Sequence, residues 1–347
     1  MSEEISANPP PAPHKRRVRY SGKNPRRFKD KYKEHGGDSA TLVKVMASGK
    51  TPAGTHRPIM VTEILAALAP QPGDLAVDGT LGYGGHTQEI LKAISPGGRL
   101  LGLDQDPIEL PKTEARLRGL GFDESVFTAH RSNFAGLPQV LAAQNISGVD
   151  LILADLGVSS MQIDDPTRGF SVKHNGPLDM RMNPQRGQSA AAFLEKINTA
   201  TLATLLVENA DEPYATTLAP VLAGKSFATT NQLARAIHTA LPRLNPEETT
   251  LTVRRVFQAL RIVVNDEFSA LDTFLRHLPA CLKLGGRVAI LTFHSGEDRR
   301  VKKSFAAGLR DGLYAEITEE VIRPSAEERH ANPRSAPAKL RWARRAE

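Results

Sequence analysis

Three aspartates in this chain stand where a short apolar run ends and a loop begins. Leu75-Ala76-Val77 runs into Asp78, Arg99 to Leu103 into Asp104, and Val149 to Ala154 into Asp155. Carboxylates at such places can accept hydrogen bonds from ribose hydroxyls, amines or backbone amides. After the first comes Asp78-Gly-Thr-Leu-Gly-Tyr-Gly-Gly-His86, four glycines on a strand-to-helix turn, where a backbone without Cβ atoms can approach a ligand closely. Two phosphate-binding patterns can be tested against it. Gly79 and Gly84 have P-loop spacing, but Gly85-His86 stands where Lys and Ser/Thr should meet phosphate and Mg²⁺. The dinucleotide pattern starts at Gly82-Tyr83-Gly84 and then has Thr87 in place of its last glycine. A carboxylate beside a glycine turn that lacks a phosphate hook suits an adenosine-containing cofactor without a pyrophosphate, S-adenosylmethionine first among them. The bland alternative is a turn and nothing more.

Asp104 follows Asp78 by 26 residues, close to where a βαβ unit puts the acid that accepts both ribose hydroxyl hydrogens. Its structural alternative is a bystander ahead of Asp106-Pro107, which would cap the next helix. Phe134, in Ser132-Asn133-Phe134 after a third strand, could lie on an adenine face or belong to the core. Asp155-Leu-Gly-Val-Ser-Ser160 lies where a doubly wound methyltransferase would meet its acceptor. An exocyclic amine has its lone pair delocalised into the ring, so methylating it requires an acceptor to hold an N–H while the nitrogen pyramidalises. Asp155 could do this, with most of the rate coming from alignment of amine and sulfonium. Methylation at C5 of cytosine needs a cysteine nucleophile, and the single cysteine, Cys281, falls in the predicted helix before the fifth strand. No metal is implied: His86, His130 and His294 are far apart and lack ligand-spaced partners, and His294 beside a helix cap reads as structural.

The elements that would position these residues alternate. A helix over 58–69, a strand ending at Asp78, a helix from about Gln88 to Ile94, a strand at 99–104, a helix at 107–119, a strand at 126–130 and a strand at 149–155 predict an α/β fold with a mostly parallel, doubly wound sheet. Ligands in such sheets bind beyond the strands' carboxyl ends, where all three aspartates fall. The next strand, Arg287 to Phe293, comes more than 130 residues after Asp155, too long for a simple crossover. An inserted helical unit is therefore expected at 164–264, with helices at 190–197, 201–208, 231–241 and 252–264. Glu267 to Leu284 returns as a helix, Ser295-Gly-Glu-Asp298 fits a capping box ahead of a helix at 299–307, and 314–322 with 339–343 suit a final antiparallel pair. The expected organisation is a basic, disordered arm at 1–50, a core at 51–163 and 265–347, and the insert at 164–264.

Charge is concentrated in the arm. Residues 1–50 carry 12 Lys/Arg against 5 Asp/Glu, so the net +7 of the 347-residue chain is the arm's own. Ten of those cations lie between Lys15 and Lys33, interleaved with Tyr20, Phe28 and Tyr32. Such a segment can neutralise phosphates and stack on bases, or simply aid solubility. One cysteine fits a reducing compartment, no apolar run approaches the ~20 residues of a membrane span, and the N-terminus offers no signal peptide, so a cytoplasmic protein with no membrane partner is expected.

These motifs together resemble the RsmH (MraW) family of bacterial S-adenosylmethionine-dependent methyltransferases, which modify the N4 of a cytidine in the decoding region of small-subunit (16S) ribosomal RNA. The resemblance runs from about His56 to Trp342. Beyond the glycine turn, Leu103-Asp104, Ser132-Asn133-Phe134 and Asp155 to Asp164, it includes His56-Arg-Pro58, Arg168-Gly-Phe-Ser171, Gly176 to Met182, Phe257-Gln-Ala-Leu-Arg261, Asn265-Asp-Glu267, Phe293-His-Ser-Gly-Glu-Asp-Arg299, Asn332-Pro-Arg334 and Lys339-Leu-Arg341. It implies a Rossmann-like class I methyltransferase sheet. It also implies that Gly84, Gly85 and His86 line the methionine end of S-adenosylmethionine, Asp104 its ribose and Phe134 its adenine side, with Asp155 and Gln162 contacting it from the fourth strand's loop. The partner implied is 16S rRNA or the small ribosomal subunit, with the insert helping to cover the RNA; a homodimer is left open. Asp179, Arg181 and Arg261 become candidates for organising substrate or loops, and structural ion pairing explains them as well. Three features depart from the family pattern: the basic arm, Gly296 in place of an apolar residue, and Pro337 with Trp342. Gly296 is expected to loosen its helix start by up to ~1 kcal/mol. Competing readings are amino-methylation of another RNA or of DNA, a non-catalytic cofactor-binding ribosome-assembly factor, and a nicotinamide oxidoreductase.

Overall fold

The computed structural model describes residues 58–347; the basic arm and His56-Arg57 lie outside them. The chain runs as α1 (Val61–Leu68), β1 (Leu75–Asp78), α2 (Gly85–Ile94), β2 (Arg99–Asp104), α3 (Leu110–Gly119), β3 (Phe127–Arg131), α4 (Leu137–Ala143) and β4 (Val149–Asp155). The interval before the next strand holds α5 (Ser160–Asp164), α6 (Ala190–Lys196), α7 (Thr199–Ala210), α8 (Ala215–Leu222), α9 (Thr230–Ala240), α10 (Pro246–Val264) and α11 (Glu267–Cys281). Then follow β5 (Leu282–Thr292), α12 (Ser295–Arg310), β6 (Tyr314–Ile317), α13 (Ala326–Ala331) and β7 (Lys339–Arg345).

The seven strands form one sheet in the order β3-β2-β1-β4-β5-β7-β6. Strands β1 to β5 pair in parallel, and β7 is antiparallel to both β5 and β6. Parallel strands are covered on both faces, which is why their sequences are continuous apolar runs. Val77, Leu101, Leu103, Ile152, Ala154, Val288 and Ile290 pack on one face against α4, α11 and α12. Ala76, Leu100, Leu151, Leu153, Ala289 and Leu291 pack on the other against α1, α2 and α3. Each such fully buried Leu or Ile contributes about 2 kcal/mol relative to exposure. The order of strands reverses between β1 and β4, and the crevice at that switch point is where a doubly wound sheet binds ligands.

The inserted helices have a hydrophobic core of their own, in which Leu194, Leu202, Leu206, Leu218, Leu222, Leu233, Ile237, Val256 and Leu260 are all buried. Three of the helices lie within two residues of their expected bounds, and α10 ends where expected but starts at Pro246, six residues early, capped by Asn245. The fifth, α8, was not anticipated, since Pro220 lies inside it; Pro220 has no N–H to give and ordinarily argues against a helix. Two boundaries differ near β5. Helix α11 ends at Cys281 rather than Leu284, because Leu282 already pairs with Val149; the next four residues bulge out and regular pairing resumes at Arg287 opposite Leu151. Helix α12 starts at Ser295 with His294 as its N-cap, so Ser295 is inside the first turn and not the cap. Glu297 in that turn accepts the Phe293 N–H on Oε2 at 2.8 Å.

Candidate active site

The glycine turn is held from below by Asp78. Its Oδ1 accepts the Thr80 N–H at 3.0 Å and its Oδ2 the Thr87 hydroxyl at 2.6 Å. Burial pushes its carboxyl above the ordinary range. Both oxygens face the protein, so Asp78 organises the turn. Thr80, which the sequence alone did not single out, accepts the Asp155 N–H on its hydroxyl at 2.6 Å and so ties the turn to the end of β4. Gly84, at φ +73, is in the left-handed region; a Cβ there would press on Thr113 and Arg116 at 3.0 Å. Arg116 stacks 4.0 Å above the Tyr83 ring and donates to the Tyr83 carbonyl, closing the turn against α3.

Above the carboxyl ends of β1, β2 and β4 opens a cavity of about 620 Å³. Gly84, Gly85, His86, Asp104, Phe134, Asp155 and Gln162 all line it. Asp104 accepts the Gly82 N–H on Oδ2 and the Asp106 N–H on Oδ1, each at 2.8 Å, which fixes its carboxylate while leaving further lone pairs. Burial pushes its carboxyl up to about 6. Phe134 is pinned edge-on by Phe274 of α11, centroids 5.3 Å apart. Gln162 is engaged at both ends: Oε1 accepts the Ser159 N–H at 3.0 Å and Nε2 donates to Asp106 Oδ2 at 2.8 Å. It therefore shapes the wall, with one amide hydrogen left over. Asp106 receives Arg168 on the same oxygen at 2.8 Å, and its Oδ1 accepts the Ile108 N–H. It closes the turn ahead of α3, which starts at Leu110 with Glu109 as its N-cap rather than at Pro107, and also anchors the start of the insert.

Asp155 and His86 form the chemical centre. His86 Nε2 is 2.8 Å from the Ile59 carbonyl, which can only accept, so Nε2 carries the hydrogen. In the neutral ring Nδ1 is then an acceptor facing Asp155 Oδ2 at 3.5 Å, a contact satisfied when one proton lies between them. Burial pushes the Asp155 carboxyl up to about 6, against the pull of His86. Asp155 Oδ1 is inaccessible to water and has no hydrogen-bond partner among the described residues. An orphaned carboxylate oxygen is unfavourable by roughly 1–3 kcal/mol; the oxygen left open to a ligand in the cavity is Oδ2, the side chain being 27% exposed.

The far wall comes from α10, α11 and α12. Arg261 grips Glu267 through two bonds of 2.8 Å. Glu297 is held below the ordinary carboxyl range: burial works to raise it, but His294, Arg261 and the Phe293 N–H outweigh that. Glu267, His294 and Glu297 bring possible metal-ligand atoms within 4.8 Å of one another. Arg261 already compensates Glu267 with a bidentate fork, so a divalent cation would have to displace it, and the cluster is explained as an ion-pair network. Asp179 and Arg181 likewise pair with each other at 2.7 Å. A Cβ at Gly296 would come within 2.6 Å of the Phe268 ring, on which Arg300 stacks at 3.7 Å. Phe268 fills the space that an apolar side chain at 296 would take, a compensation between α11 and α12 that no local pattern reveals.

A sheet in this order with one reversed strand, a glycine turn after β1 and carboxylates ending β1, β2 and β4 defines a class I S-adenosylmethionine-dependent methyltransferase. The model of the MraW methylase family matches residues 53–346, and the chain belongs to that family. It is similar to ribosomal RNA small subunit methyltransferase H 1 of Lachnoclostridium phytofermentans, 49% identical over 341 residues, covering 95% of this chain and 93% of the relative. It is also similar to ribosomal RNA small subunit methyltransferase H 2 of Alkaliphilus metalliredigens, 50% identical over 339 residues, covering 94% and 97%. These matches take in most of the basic arm. The family model nonetheless begins at residue 53, and ribosomal RNA small subunit methyltransferase H of Syntrophotalea carbinolica covers 98% of itself but 84% of this chain, so the arm stands outside the family pattern.

Proposed function

We propose that the chain transfers a methyl group from S-adenosylmethionine to the N4 amine of a cytidine in the decoding region of 16S rRNA. The carrying observation is Asp155: a carboxylate whose Oδ2 is open to a cavity that also holds the glycine turn and Asp104. The donor set fits the cofactor. Gly84 and Gly85 with His86 would lie along its methionine end, Asp104 would accept its ribose hydroxyls, and Phe134 would bound its adenine. When bound, the cofactor supplies a methyl group made electrophilic by the sulfonium.

The chain's residues supply the rest. Asp155 Oδ2, the oxygen open to the cavity, accepts one N–H of the amine and orients the nitrogen lone pair away from the ring plane. The amine proton becomes acidic as the new bond forms, so no strong base is needed. His86, anchored on the Ile59 carbonyl, holds Oδ2 and keeps the carboxylate from turning. The Arg261, Glu267 and Glu297 network forms a rigid wall opposite and takes no proton. Residues 51–163 and 265–347 act as the catalytic core and 164–264 as the unit that covers the RNA. The work is done in the cytoplasm and needs no membrane; a second copy of the chain is compatible with it and not required. Among the described residues no helix is long and apolar enough to cross a membrane.

The deciding experiment is mass spectrometry of nucleosides from small-subunit RNA incubated with the protein and methyl-labelled cofactor. The expected product is N4-methylated cytidine. Label on a ring carbon, on adenine, or on nothing would overturn the reading.

A further inference from the structure

Beside the main cavity lies a second recess of about 280 Å³, lined in part by Arg131, Arg181, Arg186 and Asp266. It opens into the cavity through shared residues, among them Gln105 and Asn133. Arg131 ends β3 directly beside Asp104 of β2, and Arg186 comes from the turn that precedes α6. The recess therefore spans the sheet's edge and the insert.

Its neutral polar groups are largely spent inside the protein. Asn133 accepts the Ala135 N–H and donates to Gln105, the Ser132 hydroxyl donates to the Asn133 carbonyl, and Asn265 bonds the backbone of Met180, Met182 and Arg261. Arg181 is neutralised by its fork with Asp179. Arg131 and Arg186 are different. Both are exposed, and neither has a carboxylate or carbonyl partner among the described residues. They outnumber Asp266, the one acid lining the recess. The free valence is thus mainly guanidinium N–H, which matches the acceptor-only oxygens of a phosphate. No aromatic side chain lines the recess, so it has no platform on which to stack a base.

We propose that this recess is a subsite for a backbone phosphate of the RNA strand flanking the methylated nucleotide. The inference rests on the reading of the cavity as an RNA methyltransferase site. It adds that the strand passes over the adenosine end of the cofactor crevice, pinned by Arg131 from the core and Arg186 from the insert.

The test compares wild-type full-length protein with Arg131→Gln/Arg186→Gln and with Arg310→Gln, an exposed arginine that lines neither cavity. The probe is a short RNA carrying the target cytidine with its flanks. The double variant should raise KM for RNA about tenfold with kcat at saturating RNA unchanged, because a contact equally present before and during transfer acts on binding alone. The salt slope of RNA affinity should fall by about 0.7 per phosphate released. A methylphosphonate at one flanking linkage should reproduce the loss in the wild type and add nothing in the double variant. Affinity for S-adenosylhomocysteine should not change. Unchanged RNA affinity and salt slope in the double variant would overturn the proposal. So would an equal loss of S-adenosylhomocysteine affinity, which would make the recess part of the cofactor site. Absence of methyl transfer by the wild type would overturn the enzymatic reading separately, since RNA binding is measured without turnover.

Discussion

Asp155 has two opposed demands on it. Its carboxyl titrates at about 6 in the folded chain because burial disfavours its charge, whereas an unfolded aspartate titrates at 3.8. Below pH ~4 both states are protonated and the group is neutral to stability. Between 3.8 and about 6 the unfolded chain has released its proton and the folded chain has not, so stability falls as pH rises through that window. Above it the full penalty remains, about 3 kcal/mol by the shift. Asp155→Asn should therefore raise the unfolding free energy at pH 7 by about 1–3 kcal/mol, with the gain fading towards pH 4, measured by urea titration at several pH values. The same substitution should abolish transfer, because the neutral amide has neither the charge to offset the positive charge developing on the amine nor the basicity to take its proton. In the wild type, kcat/KM should fall as pH drops through about 6; a flat kcat/KM profile from pH 5 to 7.5 would remove Asp155 from the reaction. Asp104, also pushed up to about 6 by burial, belongs to a different observable. Asp104→Ala should weaken S-adenosylhomocysteine binding at least tenfold by calorimetry, through loss of both the ribose acceptors and the Gly82 anchor.

The elements were legible where a rule is local. Apolar runs closed by Asp78, Asp104 and Asp155 gave β1, β2 and β4 to the residue, and helical periodicity placed α6, α9 and the end of α10. What escaped depends on partners distant in sequence. The end of α11 is decided by Leu282 pairing with Val149, α8 forms around Pro220 because the insert's core holds it, and Gly296 is explained only by Phe268. For the same reason the resemblance pointed to Gln162 and missed the joint it serves. Asp106 Oδ2 accepts both Gln162 and Arg168, with Asp106 and Arg168 side chains 1% and 8% exposed. That joint fastens the β2 loop to the first turn beyond α5, and Arg334 bonding Asp164 fastens the C-terminal segment to the same place. Removing one partner of a buried pair strands the other. Asp106→Ala should destabilise by about 3 kcal/mol, at the lower end for such pairs because Arg168 keeps the Arg181 and Met182 carbonyls. In a double-mutant cycle, Asp106→Ala with Arg168→Met should lose less than the sum of the two single variants. Additivity would mean that the pair is not coupled and that the loop is held by Gln162 alone.

At the scale of the whole molecule, charge and fold are divided between different stretches of chain. Residues 51–347 carry equal numbers of acidic and basic side chains, so beyond the arm the chain has no net charge, and attraction of RNA there is left to local groups such as Arg131 and Arg186. The arm holds the entire +7. Association with a polyanion scales with the cations that neutralise phosphates, and ten of them lie within 19 residues, from Lys15 to Lys33. A protein lacking residues 1–50 should thus keep its affinity for S-adenosylhomocysteine and its kcat on saturating RNA, because every residue assigned to the cavity lies beyond the deletion. Its RNA affinity at low salt should fall by more than tenfold, and the dependence of log affinity on log salt should become shallower by several units of slope, each released phosphate accounting for about 0.7. The two curves should converge at high salt, where counterion release no longer favours binding. Parallel curves with equal slopes would assign the arm to solubility and leave recognition to the crevice and its neighbouring arginines.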